Sequence, residues 1–300
     1  INKLAHHKPL KIYFNQDGPR ENNKYDKKLC AEVLNIVDKK INWNVEIKKK
    51  INKKNMGLKK SVESGIDWFF KNEEFGIILE DDCSPNTNFF NFCSQMLIDH
   101  MKNEKIFSIS GSNFIHNKFN IEEDFFYSKY AHCWGWATWK RAWVKYDGNL
   151  NGLFDYVSSN KWKTLHENIL EQHYWINIFK KVHHGKINSW AFPWLFSIWK
   201  NDGLNIIPSK NFVENIGFGP NATNTFSYDK KFFYQTFDEK FIVKKYPKKN
   251  IANKKADKAI FEIHFKGKYN FWPWKILYFI QILFEDPKTF FLKIKKKIYD

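Results

Sequence analysis

Arginine is almost missing from this chain. Of its 49 basic residues only Arg20 and Arg141 are arginines, and the remainder are lysines. Readers of duplex sequence rely on the planar guanidinium fork to contact guanine edges in pairs, so a net charge of +17 built from lysine does not describe such a reader. The accompanying wealth of Asn, Ile, Phe and Tyr is the residue set favoured by an AT-rich genome, and part of the charge reflects that drift. Nucleic acid is not expected as a partner, and a basic nucleic-acid-binding protein stays as a second alternative resting on charge alone.

Cysteine is also scarce. The four present, Cys30, Cys83, Cys93 and Cys133, form no Cys-x-x-Cys pair and have no histidine at zinc-finger spacing, so neither a disulfide scaffold nor a structural zinc site is expected. No apolar run reaches the 18 or so residues of a transmembrane helix. The nearest, Phe271 to Phe284, is broken by Pro273, Lys275 and Gln281. No signal-peptide pattern is visible, the first residue is Ile1 rather than Met, and the expected location is cytoplasmic.

What is abundant is aromatic and aliphatic. Hydrophobic residues make up 43% and aromatic residues 19% of 300, enough for one or two folded domains and incompatible with a disordered chain. Charge is uneven along the chain: residues 241 to 300 carry 15 lysines against five acids. A basic end on a more balanced body points to a membrane surface or an acidic partner, with a solvated lysine face as the bland reading.

The first half alternates strand-like and helix-like stretches. Lys11 to Asn15 reads as strand and ends in the turn Asp17-Gly18-Pro19-Arg20; Lys24 to Val37 reads as helix, Trp43 to Ile47 as strand and Leu58 to Lys71 as helix. Phe75 to Leu79 is a continuous apolar run, expected to be a central strand buried on both faces of a mostly parallel sheet covered by helices. Glu80-Asp81-Asp82 follows at once, and Ser84 and Pro85 read as the start of a helix running to Lys102. Ile106 to Ser110 is another strand. Helices are expected over Lys161 to His184 and Ser189 to Trp199, with a strand through Ile206 and Ile207.

Three acids at the carboxyl end of a strand sit where open α/β sheets bind ligands, and carboxylates on a tight turn suit Mg2+ or Mn2+. Solvated charges favouring the positive end of the next helix are the plain structural reading. Among the histidines, His183-His184 reads as a favourable basic helix end, whereas His132, beside the tryptophans, is open between site and core.

The stretch Ser64-Gly65-Ile66-Asp67-Trp68-Phe69-Phe70, then Glu74 to Cys83 with Phe89-Phe90 and Phe92-Cys93, resembles bacterial glycosyltransferases of the hemolytic protein HlpA-like type. Asp17-Gly18-Pro19-Arg20, Ile109-Ser110-Gly111, Trp134-Gly135-Trp136-Ala137-Thr138-Trp139 and Asn215-Ile216-Gly217-Phe218-Gly219 match as well, in order, over residues 8 to 225. The acidic triplet is also similar to the metal-binding DXD element of the N-acetylglucosaminyltransferase I family.

The resemblance implies a GT-A (nucleotide-diphospho-sugar transferase) fold over residues 1–225, with the first strand of that fold expected to be missing. It implies a C-terminal basic and aromatic extension over 226–300. The implied activity is an inverting transfer of a hexosyl or N-acetylhexosaminyl group from a nucleotide-diphosphate sugar, UDP-linked, to a hydroxyl of a glycan or lipid-linked acceptor, in surface glycan or glycolipid synthesis. Mn2+ or Mg2+ would bind Asp82, with Glu80 and Asp81 reaching it through water or touching the sugar. Asp17 and Arg20 would contact the nucleotide, and Trp134, Trp136, Asn188 and Trp190 would line the sugar and acceptor pocket.

Two departures stand out. Asn188-Ser189-Trp190-Ala191 occupies the place where the family carries an acid before or after the tryptophan, and neither Asn188 nor Ala191 is a carboxylate. Asn224 stands where the family often has a histidine that assists the metal or diphosphate. The general base is therefore unassigned, with Asp202, Glu171 and Glu214 as candidates, and a catalytically weakened sugar-nucleotide-binding protein is the first alternative. In the extension, Phe271-Trp272-Pro273-Trp274 and the apolar residues after it, flanked by lysines, suit either a terminal helix packed on the core or peripheral contact with the cytoplasmic membrane face.

Overall fold

The computed structural model describes residues 1–217, 241–285 and 287. In chain order the elements are α1 (Asn2–His7), β1 (Lys11–Gln16), α2 (Asp26–Lys40), β2 (Glu46–Ile51), α3 (Leu58–Phe70), β3 (Phe75–Ile78) and β4 (Cys83–Pro85). There follow α4 (Thr87–Asp99), β5 (Ile106–Ser110), β6 (Phe125–Ser128), β7 (Trp136–Trp139), α5 (Lys140–Trp143), α6 (Leu153–Ser158) and α7 (Asn160–Leu165). The described chain ends with α8 (Ile169–His183), α9 (Ala191–Lys200), β8 (Leu204–Pro208), β9 (Val213–Asn215), α10 (Lys254–Ile263) and α11 (Trp274–Glu285).

The architecture is mixed α/β. The central sheet has five strands in the order β3-β7-β5-β8-β6, and β1 pairs with β2 in a separate parallel pair. The expected mostly parallel sheet is not what forms: β5 and β8 run parallel, while β3 with β7, β5 with β7 and β6 with β8 are antiparallel. The reason lies in β6 and β7. These are four-residue strands entered through loops, and an antiparallel neighbour needs no crossover helix, so they slot between and beside the strands of the alternating pattern.

A second correction concerns β3. It lies at the edge of the five-stranded sheet and is half-buried, with Phe75 41% exposed, rather than central and covered on both faces. Ser84 and Pro85 do not open the next helix either. They pair with Glu214 and Val213, and the cap passes to Asn86, whose side chain accepts from the Phe89 amide. The single helix expected over 161–184 is two, because Asn168 caps a new start at α8.

Strand period sorts the core into two layers. Phe126, Phe107, Trp136 and Ile207 face one cluster that takes in α8, α9 and α10, whereas Phe125, Tyr127, Ile109, Ala137, Trp139 and Ile206 face a second cluster built on α4. The layer on α4 is supplied by Phe89, Phe92, Cys93 and Met96, all fully buried, which is the apolar stripe of that helix at i, i+3, i+4 and i+7. Ala256, Ile260 and Phe261 of α10 are buried in the first cluster. Residues 254–263 of the expected C-terminal extension thus share the core of the preceding chain. All four cysteines are free thiols.

Candidate functional site

The β3 strand runs out at Ile78 beside Trp136 of β7 and, one strand further on, Ser110 of β5. Glu80, Asp81 and Asp82 follow at that same edge. Their turn is held by a two-stranded clasp in which Cys83 pairs with Asn215 and Ser84 with Glu214. The Ile216 amide donates to the Asp82 carbonyl at 2.8 Å, and Asn215 Nδ2 donates to Asp82 Oδ2 at 2.9 Å. A Cβ on Gly217 would stand 2.7 Å from the Asp82 carboxylate, so only glycine lets this strand pass so close. Gly135, at φ 62, brings its carbonyl to the Gly111 amide at 2.8 Å, and the Phe212 amide closes on the Gly111 carbonyl at 3.0 Å. Four stretches singled out in the sequence therefore converge: the acidic triplet, Ile109-Ser110-Gly111, Trp134-Gly135-Trp136 and Asn215-Ile216-Gly217.

The electrostatics of this turn are one-sided. Burial, then the neighbouring charges of Asp82 and Asp81, push the Glu80 carboxyl up to about 7, and only a hydrogen bond from the Trp190 side chain opposes them. Among the described residues no lysine or arginine forms an ion pair with Glu80, Asp81 or Asp82. Trp190, 2% exposed, lies stacked on Trp136 with ring centroids 5.4 Å apart, which fixes the indole that holds Glu80. Burial also pushes the Cys83 thiol up to about 12 and the Cys133 thiol upward, and both feel the Glu80 and Asp82 charges. The result is an anionic turn in which Glu80 is desolvated and, among the described residues, no cation is paired to it. Such a turn can take up a divalent cation or hold a proton on Glu80 near neutral pH.

Among the described residues no three His, Cys, Asp or Glu side chains form a metal-holding group. A cation here would be held by one or two carboxylates, Asp82 first, and by oxygens of a bound phosphate ester, the mode Mg2+ favours. Within those limits the donor set fits. Asn224 lies outside the described residues.

The other expected residues fall into three places. Asp17 ends β1 as the organiser of a loop: its carboxylate accepts from the amides of Gly18, Met56 and Gly57 and from Asn55 Nδ2 at 2.8–3.2 Å. The exposed Asn188 stands over that loop, its Nδ2 3.8 Å from where a Gly57 Cβ would be. The Asp17 loop, Asn188 and Trp190 therefore form one continuous border leading to Glu80. Arg20 is committed elsewhere, its guanidinium forking onto both oxygens of Asp26 at 2.7 and 2.9 Å.

Trp134 is half-buried and packs edge-on to Phe114, while Trp136, Trp139 and Trp143 are core. Trp136 thus serves the site from behind, by backing Trp190. Ala191 opens α9. His132 is buried with its Nε2 lacking a hydrogen-bond partner, and burial lowers it to about 3, so it stays neutral inside the aromatic packing.

Of the three base candidates, two are elsewhere. Asp202 pairs with Lys161 at 2.6 Å on the surface, at the turn before β8 and so at the opposite end of the strands. Glu171 is 6% exposed and bonded to Lys129 at 2.6 Å, to His166 and to the Tyr130 hydroxyl. Glu214 alone lies at the site, in register with Ser84. Sequence reasoning assigned no role to Asn215, although it stood in a quoted motif, and an Asn two residues before a Gly in a strand-like stretch was its only signal.

No family model matches the chain, and no curated protein matches it.

Proposed function

We propose that this chain is a metal-dependent glycosyltransferase of the GT-A type, related to the HlpA-like enzymes, that moves a sugar from a nucleotide-diphosphate donor to an acceptor hydroxyl. The observation that carries the reading is the Glu80-Asp81-Asp82 turn, with Glu80 desolvated, closed by Asn215 and Gly217 and without a paired lysine or arginine among the described residues. An acidic turn with no lysine or arginine paired to it among the described residues suits a divalent cation, which Asp82, with Glu80 and Asp81, would hold. Bound Mn2+ or Mg2+ would offset the charge that gathers on the departing nucleoside diphosphate.

The chain's own groups then have distinct work. Asn215 orients the Asp82 carboxylate, and Trp190 holds Glu80 at the sugar side. The acceptor oxygen forms the new bond to the anomeric carbon as the bond to the phosphate oxygen breaks, and its proton passes to a carboxylate. Glu214 is the candidate for that role, since of the three it alone lies beside the acidic turn. The weakened sugar-nucleotide binder is favoured by one specific observation: Asn188 faces solvent at the border of the site with no acid at 188 or 191.

Donor hydrolysis and nucleotide binding across a panel of nucleotide sugars, with manganese and with chelator, test both. Turnover that needs metal and falls at least about 100-fold in Asp82→Ala is the expected outcome. Metal-dependent binding without turnover would select the weakened form. Binding indifferent to manganese and to Asp82→Ala would sink the metal-site reading.

A further inference from the structure

The α11 helix is apolar on the wrong side. On a helical wheel Ile276, Leu277, Ile280, Leu283 and Phe284, spaced i, i+1, i+4, i+7 and i+8, share one arc, and all are exposed, from 37% for Leu283 to 81% for Phe284. The opposite arc does the packing. There Ile282 is buried and Tyr278 half-buried, and Tyr278 lies 5.5 Å ring to ring from Tyr269 of the 3-10 turn Gly267–Asn270. The helix is therefore anchored by one side and presents a second apolar stripe that no described residue covers. Trp272, 76% exposed, and Trp274 stand at its start.

Charge says what covers that stripe. Lys266 and Lys268 sit over the Tyr278 and Tyr269 rings at 5.5 and 5.6 Å, and Lys275 is exposed in the first turn of the helix. Over residues 266–284 the chain holds three lysines, Lys266, Lys268 and Lys275, and no acid. A second copy docking on this stripe would bring two positive segments together. A surface offering apolar depth under a layer of negative charge matches both features at once, with tryptophans at the boundary.

We propose that α11 is an interfacial anchor that lays its Ile276, Leu277, Ile280, Leu283 and Phe284 stripe into an anionic phospholipid bilayer, parallel to the membrane plane. Among the described residues no helix is long and apolar enough to cross a membrane, so the contact is peripheral. The inference stands on the exposed stripe and its lysines and is independent of the acidic turn.

The test is flotation of the full chain with phosphatidylcholine–phosphatidylglycerol vesicles, beside phosphatidylcholine vesicles and the double variant Leu277→Asp/Ile280→Asp. Binding to the anionic vesicles, weakened by salt and lowered at least about 10-fold in the double variant, is expected, since two carboxylates then replace apolar side chains in the stripe. Both positions face solvent, so the fold is not at stake. Brominated lipid should quench tryptophan fluorescence, and less so in Trp272→Phe/Trp274→Phe. No vesicle binding, binding that survives the double variant, binding without quenching, or a stripe-dependent dimer that ignores vesicles would each overturn the proposal.

Discussion

Two groups of carboxylates sit at opposite ends of the strands of the same sheet, and the fold treats them differently. At one end, past Ile78 and Ser110, Glu80 is desolvated beside Asp81 and Asp82 and held up to about 7. At the other, past Ser128 and its register partner Asn205, Lys129 reaches Glu171 at 2.6 Å and the Leu165 carbonyl at 2.9 Å. Burial works against the Glu171 charge, yet His166 and Lys129 together hold its carboxyl below the ordinary range. Asp257 in the same cluster is the internal control. It has the Ser128 hydroxyl at 2.5 Å and the Lys129 amide at 3.3 Å as donors, and burial keeps it up at about 6. The lesson is that a directly bonded cation, not burial, separates the two behaviours. A carboxylate whose cation is built in cements the fold, here tying α8 to the end of β6, whereas Glu80, with no lysine or arginine paired to it among the described residues, is held up toward neutrality.

Removing the built-in cation should produce the largest effect. Lys129→Met is expected to cost about 3–5 kcal/mol in chemical denaturation, because Glu171 is then buried without its lysine, while Lys129→Met combined with Glu171→Leu recovers much of that loss. A Lys129→Met protein as stable as the parent would erase the contrast.

The opposite sign is expected at the acidic turn. Glu80 has a folded pKa above its unfolded value, so the folded state favours the protonated form: the associated stability is full below about 4.5 and is lost as pH rises through about 7. Glu80→Gln should therefore stabilise the metal-free protein by about 1–3 kcal/mol near pH 8 and hardly at all near pH 4.5. Manganese should shrink that gain by stabilising the ionised parent. Denaturation midpoints of the two proteins across this pH range, with and without the metal, decide it.

The smallest effect belongs to a carboxylate in neither class. Asp202→Ala removes an exposed pair with Lys161 and should change stability by less than about 0.5 kcal/mol, with donor turnover unchanged. A large loss of turnover would restore Asp202 as a base and undo its placement at the far end.

Much of this was legible in the residues. The strand Ile106–Ser110, the helix from Leu58 and the acids after an apolar run all follow from period and punctuation, and the structure has them where expected. The glycines of the quoted motifs were visible only as motif members, and the structure shows that Gly111, Gly135 and Gly217 sit where a Cβ would collide. Lys129 was not legible. It is one lysine among dozens, and nothing local marks the one that will be buried against Glu171, 42 positions further on. Trp136 and Trp190 were read as sugar walls because exposure, not residue type, distinguishes a binding face from a core ring.

The sequence by itself determined the local order: which segments extend, which coil, and that three acids interrupt an apolar strand. Those outcomes depend on side-chain period and backbone preference within a few residues. Only the tertiary structure decided that the central sheet is mixed, that β3 is its edge, that Asn215 grips Asp82, and that Lys129 serves Glu171 while no described lysine or arginine pairs with Glu80. Each of these is a pairing between distant segments, and a buried charge takes its character from the neighbour that packing brings to it.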